Sequence, residues 1–183
     1  MSTRSATIGT ALLAFACGAG AADHQVVGRG QPVTESDLRA WNISVFPSGA
    51  GLPAGSGTAQ QGAGIFASKC AACHGDKGQG GLGPALITDI QRHGIDESTT
   101  SIANYWPYST TLFDYVRRAM PWQSPRSLGD EEVYALVAFI LAQNKLIPDD
   151  EVVDARSLPR VRMPNRDGFI IHDPKLTPPF AAP

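Results

Sequence analysis

Residues 70–74 read Cys70-Ala71-Ala72-Cys73-His74, and this stretch decides both the fold and the chemistry of the chain. Two thiols at this spacing can add to the two vinyl groups of one haem. The histidine that follows the second thiol then lies beneath the iron. Because no second copy of the motif occurs, the sequence predicts one covalent haem c, with His74 as the proximal iron ligand.

Other chemistries use a close cysteine pair. A disulfide suits an exported protein, a redox-active dithiol suits an oxidoreductase, and a cysteine pair can contribute to a zinc site. The thiol alternatives do not need the histidine beside Cys73, and the zinc alternative lacks a second pair of ligands. The motif therefore favours haem attachment.

A six-coordinate iron needs a ligand on the face opposite His74. Met120 lies in a proline-bounded loop just before the last core helix, where it can cross the haem edge. A thioether is a soft ligand that favours ferrous iron and raises the reduction potential. We predict Met120 as this ligand, with simple packing of the pocket as the alternative. The other candidates are Met163, His24, His93 and His172.

Several further side chains are candidates for the haem pocket. Pro84 follows His74 after a glycine-rich loop, and its carbonyl can accept a hydrogen bond from the His74 ring; a rigid turn is the alternative. We assign Trp106 to haem binding, although core packing is an alternative for any one aromatic residue. Arg117 and Arg118 can pair with haem propionates or a partner, or face solvent. The other aromatic candidates are Tyr105, Tyr108 and Trp122.

The N-terminus has the pattern of a secretory signal. Arg4 precedes a short apolar stretch from Ile8 to Phe15, and small residues follow. The stretch is too short to span a bilayer, so we expect cleavage near residue 22, a periplasmic protein and no stable membrane span. The alternatives are a retained anchor, an ordinary buried helix, or lipid attachment at Cys17. A formal net charge of −2 and the lack of a long basic run argue against a nucleic-acid partner.

The pattern of apolar residues predicts an all-α protein with a single haem domain. Thr34 can cap a helix over Glu35–Trp41, and Thr58 can cap a helix that leads into the cysteine pair. Further helices are predicted over Ser109–Ala119 and from Asp130 onward, the latter with the clearest apolar face. The expected organisation is a signal peptide (1–22), an N-terminal extension (23–57), a haem domain (58–144) and a C-terminal extension (145–183).

The haem domain resembles class I cytochrome c. The resemblance implies a single helical domain with irregular extensions, and electron transfer by the haem. It rests on the haem motif together with residues at the family's helix-contact, proline and methionine positions: Gly62, Phe66, Pro84, Met120, Leu136 and Phe139.

A narrower resemblance includes segments 105–108, 111–115, 117–121 and 130–136 and the tail segment Met163-Pro164-Asn165-Arg166-Asp167-Gly168-Phe169. Together they resemble the cytochrome c subunit of periplasmic sulfite and sulfane dehydrogenases of sulfur oxidation. That resemblance implies electrons from a molybdenum-cofactor subunit, delivery to a downstream cytochrome or oxidase, and no catalysis by this chain alone. Dihaem members carry two haem motifs, so this chain resembles a monohaem relative.

Other functions compatible with the sequence are a general soluble electron carrier of the periplasm and a haem enzyme or ligand sensor. The extensions bear on this choice. The tail 145–183 spaces apolar residues among prolines, and with the loop 47–57 it is predicted to be mainly a docking surface for a larger subunit. The alternative is that the tail folds back on its own haem domain.

Overall fold

A computed structural model describes residues 30–88 and 100–169 of the 183-residue chain. The predicted signal peptide and the candidate ligands His24, His93 and His172 lie outside these residues. The described elements, in chain order, are α1 (Glu35–Trp41), β1 (Ser56–Thr58), α2 (Ala59–Lys69), α3 (Ala71–His74), α4 (Ile102–Tyr105), α5 (Ser109–Ala119), α6 (Asp130–Gln143), β2 (Val152–Asp154) and a 3₁₀ turn (Leu158–Arg160).

Local capping signals place the helices where the sequence predicts them. The Thr58 hydroxyl accepts a hydrogen bond from the Gln61 amide at 3.3 Å, and the Gln61 side chain accepts one from the Thr58 amide at 2.9 Å. This reciprocal pair satisfies amides that would otherwise have no partner at the start of α2. Thr34 and Asp37 form the same arrangement at the start of α1. Both predicted caps are confirmed.

The core is built where α2 crosses α6. Gly62 allows this close approach, since a Cβ at this position would overlap the carbonyl of Ala135. One turn later the rings of Phe66 and Phe139 pack with their centroids 5.0 Å apart. The contact between these two family positions is therefore confirmed. Helix α6 is buried on most of its surface, and its residues 133–138 are all inaccessible.

Besides the helices, residues 30–88 and 100–169 form one small sheet that sequence periodicity does not reveal. Strand β1 pairs antiparallel with β2, with Gly57 opposite Val153. This pairing brings the C-terminal extension against the start of the haem domain. Val153, Leu158 and Met163 from that extension are each 0% exposed.

The prediction that the tail is mainly a docking surface is therefore wrong for the described part of the extension. Its buried apolar residues belong to the protein's own core, where they form one cluster with apolar residues of α5 and α6. The loop 47–57 also contacts α6, where its Pro53 carbonyl accepts a 2.8 Å hydrogen bond from the Tyr134 hydroxyl. The alternative, in which the tail folds back, is confirmed for residues 145–169.

Within the described ranges, no helix is long and apolar enough to cross a membrane.

Candidate haem site

A cavity of about 610 Å³ opens beside α3, α5 and the loop that follows α5. Its volume lies within the range of about 300–1,000 Å³ that is usual for cofactor and ligand sites. Its lining is mainly apolar, with contributions from α6 such as Leu136 and Ile140. All six residues that the sequence assigns to the haem line this one cavity: Cys70, Cys73, His74, Pro84, Trp106 and Met120.

The two cysteines lie at the junction of α2 and α3. Cys70 caps α2, with its amide donating to the Phe66 carbonyl at 2.9 Å, and α3 then carries Cys73 and His74 to the cavity. Both thiols are unpaired in the structure. Burial raises the pKa of the Cys70 thiol to about 11. Redox-active cysteines usually have lowered pKa values, so the surroundings of Cys70 do not favour the dithiol alternative.

The His74 ring is held in one tautomer. Its Nδ1 atom lies 2.7 Å from the carbonyl oxygen of Pro84. A carbonyl can only accept a hydrogen bond, so Nδ1 carries the proton and Nε2 keeps its lone pair for a metal. The predicted contact between Pro84 and His74 is confirmed.

The glycine-rich loop 75–83 folds back onto the end of α3. The Gly80 amide donates to the His74 carbonyl at 2.7 Å, and the Gly83 amide donates to the Cys73 carbonyl at 2.8 Å. These bonds satisfy helix carbonyls that would otherwise have no partner. A Cβ on Gly83 would lie 2.9 Å from Cε1 of His74, so the ring packs directly on the loop backbone. Sequence reasoning missed this contact; the run of glycines after the motif was the available signal.

The two candidate methionines lie in different places. Met120 ends α5, where its amide donates to the Val116 carbonyl at 3.1 Å, and it lines the cavity with His74. Met163 is 0% exposed and is absent from the cavity lining. Of the two sulfur atoms, the structure brings Met120 to the site.

Aromatic side chains form much of the cavity wall. Tyr105, Trp106 and Trp122 line it, whereas Tyr108 does not. The Trp106 ring packs edge-on against Tyr115, with centroids 5.5 Å apart. Tyr115 also lines the cavity and was missed as a site residue, because its position on the apolar face of α5 suits core packing equally well.

The two arginines have carboxylate partners outside the cavity lining. Arg117 pairs with Asp130 at 2.9 Å, and Arg118 pairs with Asp114 at 2.8 Å. These pairs tie α5 to α6 and brace α5 along its own length. The assignment of Arg117 and Arg118 to haem propionates gains no support from this geometry.

The donor set fits a haem c. An apolar cavity accommodates the macrocycle, two unpaired thiols can form thioethers, and an imidazole and a thioether are ligands that haem iron accepts. Within the described ranges, no cluster of three or more acidic, histidine or cysteine side chains could hold a metal ion directly. Fold and site together therefore define a c-type cytochrome.

Comparison with known proteins agrees. The sequence model of the cytochrome c family matches residues 59–144. The chain is similar to a chain in the crystal structure of the sulfane dehydrogenase SoxCD from Paracoccus pantotrophus, with 36% identity and a TM-score of 0.72. That similarity covers 83% of this chain and 75% of the other. No curated protein sequence matches the chain. The chain belongs to the cytochrome c family, whose members bind haem c covalently and carry electrons.

Proposed function

We propose that this protein is the monohaem electron-transfer subunit of a sulfite or sulfane dehydrogenase. In this proposal it accepts electrons from a molybdenum-cofactor subunit in the periplasm and passes them to a downstream cytochrome or oxidase. One observation carries the proposal: the similarity to the SoxCD chain covers 83% of the sequence, whereas the cytochrome c family model covers less than half. The similarity therefore extends beyond the minimal haem domain.

The residues of the cavity have distinct roles in this proposal. Cys70 and Cys73 attach the haem, and His74 and Met120 bind its iron. The haem supplies reversible one-electron exchange at iron, and the soft Met120 sulfur favours the ferrous state. With His74 and Met120 both holding the iron, no coordination position would be left for a substrate. This argues for electron transfer without catalysis by the chain alone.

Two exposed apolar side chains support a docking role at the cavity mouth. Leu82 and Trp122 line the cavity and are 92% and 75% exposed. Exposed aromatic and aliphatic residues around a site favour contact with a protein partner, since covering them removes apolar surface from water. A dehydrogenase subunit seated there would lie next to the haem edge.

The test is reduction of the ferric holoprotein by a molybdenum sulfite or sulfane dehydrogenase subunit, followed by absorbance after rapid mixing. We expect substrate-dependent reduction that is saturable in cytochrome and much faster than reduction of a minimal class I cytochrome c of similar potential. Equal rates with the two cytochromes would support the alternative, a general soluble periplasmic carrier. No reduction at all would reject the dehydrogenase role.

A matched pair of tryptophans tests the docking surface. Trp122→Ala should raise the cytochrome concentration needed for half-maximal reduction. Trp41→Ala should not, because Trp41 is equally exposed, at 76%, but does not line the cavity. If the two variants behave alike, the mouth of the cavity is not the contact surface.

A further inference from the structure

The last described segment of the chain, residues 162–169, forms a compact turn that the proposed electron-transfer role leaves unexplained. We refer to it as the tail turn. Two hydrogen bonds lie within the turn. The Arg166 amide donates to the Met163 carbonyl, and the Gly168 amide donates to the Asn165 carbonyl, each at 3.1 Å. Met163 anchors the turn in the core, since its side chain is 0% exposed. The tail turn is therefore a built part of the fold.

Asn165 links the tail turn to the wall of the haem cavity. It is 6% exposed, and its side-chain Nδ2 donates a 2.7 Å hydrogen bond to the carbonyl of Tyr105. A buried amide of this kind is costly to leave without a partner, so the bond holds its acceptor firmly. Tyr105 is the last residue of α4, and Trp106 follows it directly.

The tail turn contacts the same segment at further points. Arg162 forms an antiparallel bridge with Tyr108, and the Arg166 guanidinium carbon lies 4.4 Å from the centre of the Tyr108 ring. The Phe169 ring packs edge-on against the Tyr105 ring, with centroids 5.5 Å apart. Backbone and side-chain contacts from the tail turn thus hold the segment 105–108.

Glycine at position 168 is required for this arrangement. A Cβ at Gly168 would overlap the Oδ1 atom of Asn165. Any larger residue at 168 must therefore displace the Asn165 amide or open the turn. The structure thus offers a second, independent way to disturb the bond to Tyr105.

The held segment forms part of the cavity wall. Tyr105 and Trp106 both line the cavity, and Trp106 also packs on Tyr115, which lines it as well. On the helix side, the Trp106 amide donates a hydrogen bond to the Ile102 carbonyl. Its length of 3.3 Å is long for a helix. The position of the Trp106 ring therefore depends on the contacts behind it.

We propose that the tail turn is a positioning clamp for the haem pocket, in which Asn165 acts through the Tyr105 carbonyl to hold Trp106 in the cavity wall. The Trp106 ring, held in this wall, would exclude water from the part of the haem that it covers. Ferric haem carries one more positive charge than ferrous haem, and water stabilises the charged form. The clamp thereby raises the reduction potential and sets it to one value.

The test compares holoproteins of Asn165→Ala and Gly168→Ala with the wild type by spectroelectrochemical titration and Soret circular dichroism. We expect both variants to have a lower reduction potential and an altered Soret dichroism, with the iron still six-coordinate by absorption. Asp167→Ala is the matched control in the same turn, because its ion pair with Arg162 is highly exposed. It should change neither quantity.

A loss of stability does not distinguish a positioning role from a purely structural one, because removing the Asn165 side chain would destabilise the protein in both cases. Potential and Soret dichroism equal to the wild type in folded Asn165→Ala and Gly168→Ala would overturn the proposal. If these two variants yield no holoprotein, Phe169→Ala replaces them, because Phe169 is 47% exposed and its loss leaves the core intact. A smaller shift in the same direction would support the clamp, and no shift would reject it.

Discussion

Nδ1 of His74 donates a hydrogen bond to the carbonyl of Pro84 across 2.7 Å, joining the haem motif to a residue ten positions later. The bond fixes the tautomer that leaves Nε2 available to bind iron, and it fixes the orientation of the ring. Gly83 packs on the same ring, so the loop from 75 to 84 sets both the orientation and the tautomer of His74. A loop that looks merely flexible in sequence thus prepares the proximal ligand.

Attachment of the haem can be tested at the two thiols. With the maturation machinery co-expressed, mass spectrometry should find one covalent haem on the wild-type chain. Cys70→Ala and Cys73→Ala should each retain at most one thioether, and the double variant should retain none, because both thiols line one cavity. A second covalent haem, or none on the wild type, would contradict the assignment.

The sixth ligand can be tested with the two methionines. Met120→Ala should open the iron, allow carbon monoxide to bind the ferrous form and lower the reduction potential. Met163→Ala should keep the iron closed to carbon monoxide but cost about 2–5 kcal/mol of stability, because it leaves a cavity in the core. Carbon monoxide binding and urea unfolding separate the two. The reverse pattern would place the ligand in the tail.

Alanine substitutions at two glycines of α2 should change the free energy of unfolding in opposite directions. Gly62→Ala should destabilise the protein by about 1–3 kcal/mol, because the added methyl group meets the Ala135 backbone and pushes α2 from α6. Gly64→Ala should stabilise it by about 0.5–1 kcal/mol, because nothing lies within 4 Å of the added group and alanine favours the helix. Urea unfolding of both holoproteins measures this. Equal effects would mean that the helices do not approach at Gly62.

The tail should be necessary for stability. Leu158 is 0% exposed, so Leu158→Ala should cost about 2–5 kcal/mol. Val152→Ala is the control; Val152 is 53% exposed and should matter little. Truncation after Asn144 should cost more than Leu158→Ala, because it also removes Val153 and Met163 from the core. A truncated holoprotein as stable as the wild type would show that the tail is dispensable.

Acid should weaken the contact between the end of α2 and the start of α6. The Lys69 ammonium lies 2.6 Å from the Glu132 carboxylate, and hydrogen bonds from Lys69 and from the Gly129 amide hold the pKa of Glu132 below its usual value. A lowered folded-state pKa contributes stability that is present above the unfolded pKa and is lost as pH falls through the folded pKa.

The contribution is small, because the pair is largely in contact with solvent. Glu132→Gln should therefore lose less stability than the wild type between neutral pH and pH values below the normal glutamate range. Urea unfolding at a series of pH values measures the difference. Parallel curves for the two proteins would show that Glu132 is not the group responsible.

Much of the haem domain follows from short-range signals. The thiols and His74 lie within five consecutive residues, so about one turn of helix is enough to bring them to one haem. The caps at Thr34 and Thr58 act within three residues, which is why the starts of α1 and α2 could be predicted from sequence. The apolar periodicity of α5 reports burial directly, because one face of that helix must meet the core, whereas α6 is apolar and buried on most of its surface.

The long-range contacts could not be predicted in this way. Nothing near Gly57 indicates that it pairs with Val153, and nothing near Asn165 indicates that its amide reaches Tyr105. The apolar residues of the tail are compatible with docking on a partner or with burial in the protein's own core, since both remove the same apolar surface from water. Only the packing of the whole chain distinguishes the two.

By itself the sequence determined the cofactor, its point of attachment and the main helices, since each depends on residues that are neighbours along the chain. The tertiary structure decided between alternatives that the sequence left open: it brings Met120 and not Met163 to the haem cavity, it places the Pro84 carbonyl on His74, and it uses the described tail to close the protein's own core. Those choices depend on which distant surfaces fit together once α2 and α6 have packed, and pairings of that kind carry no local signal.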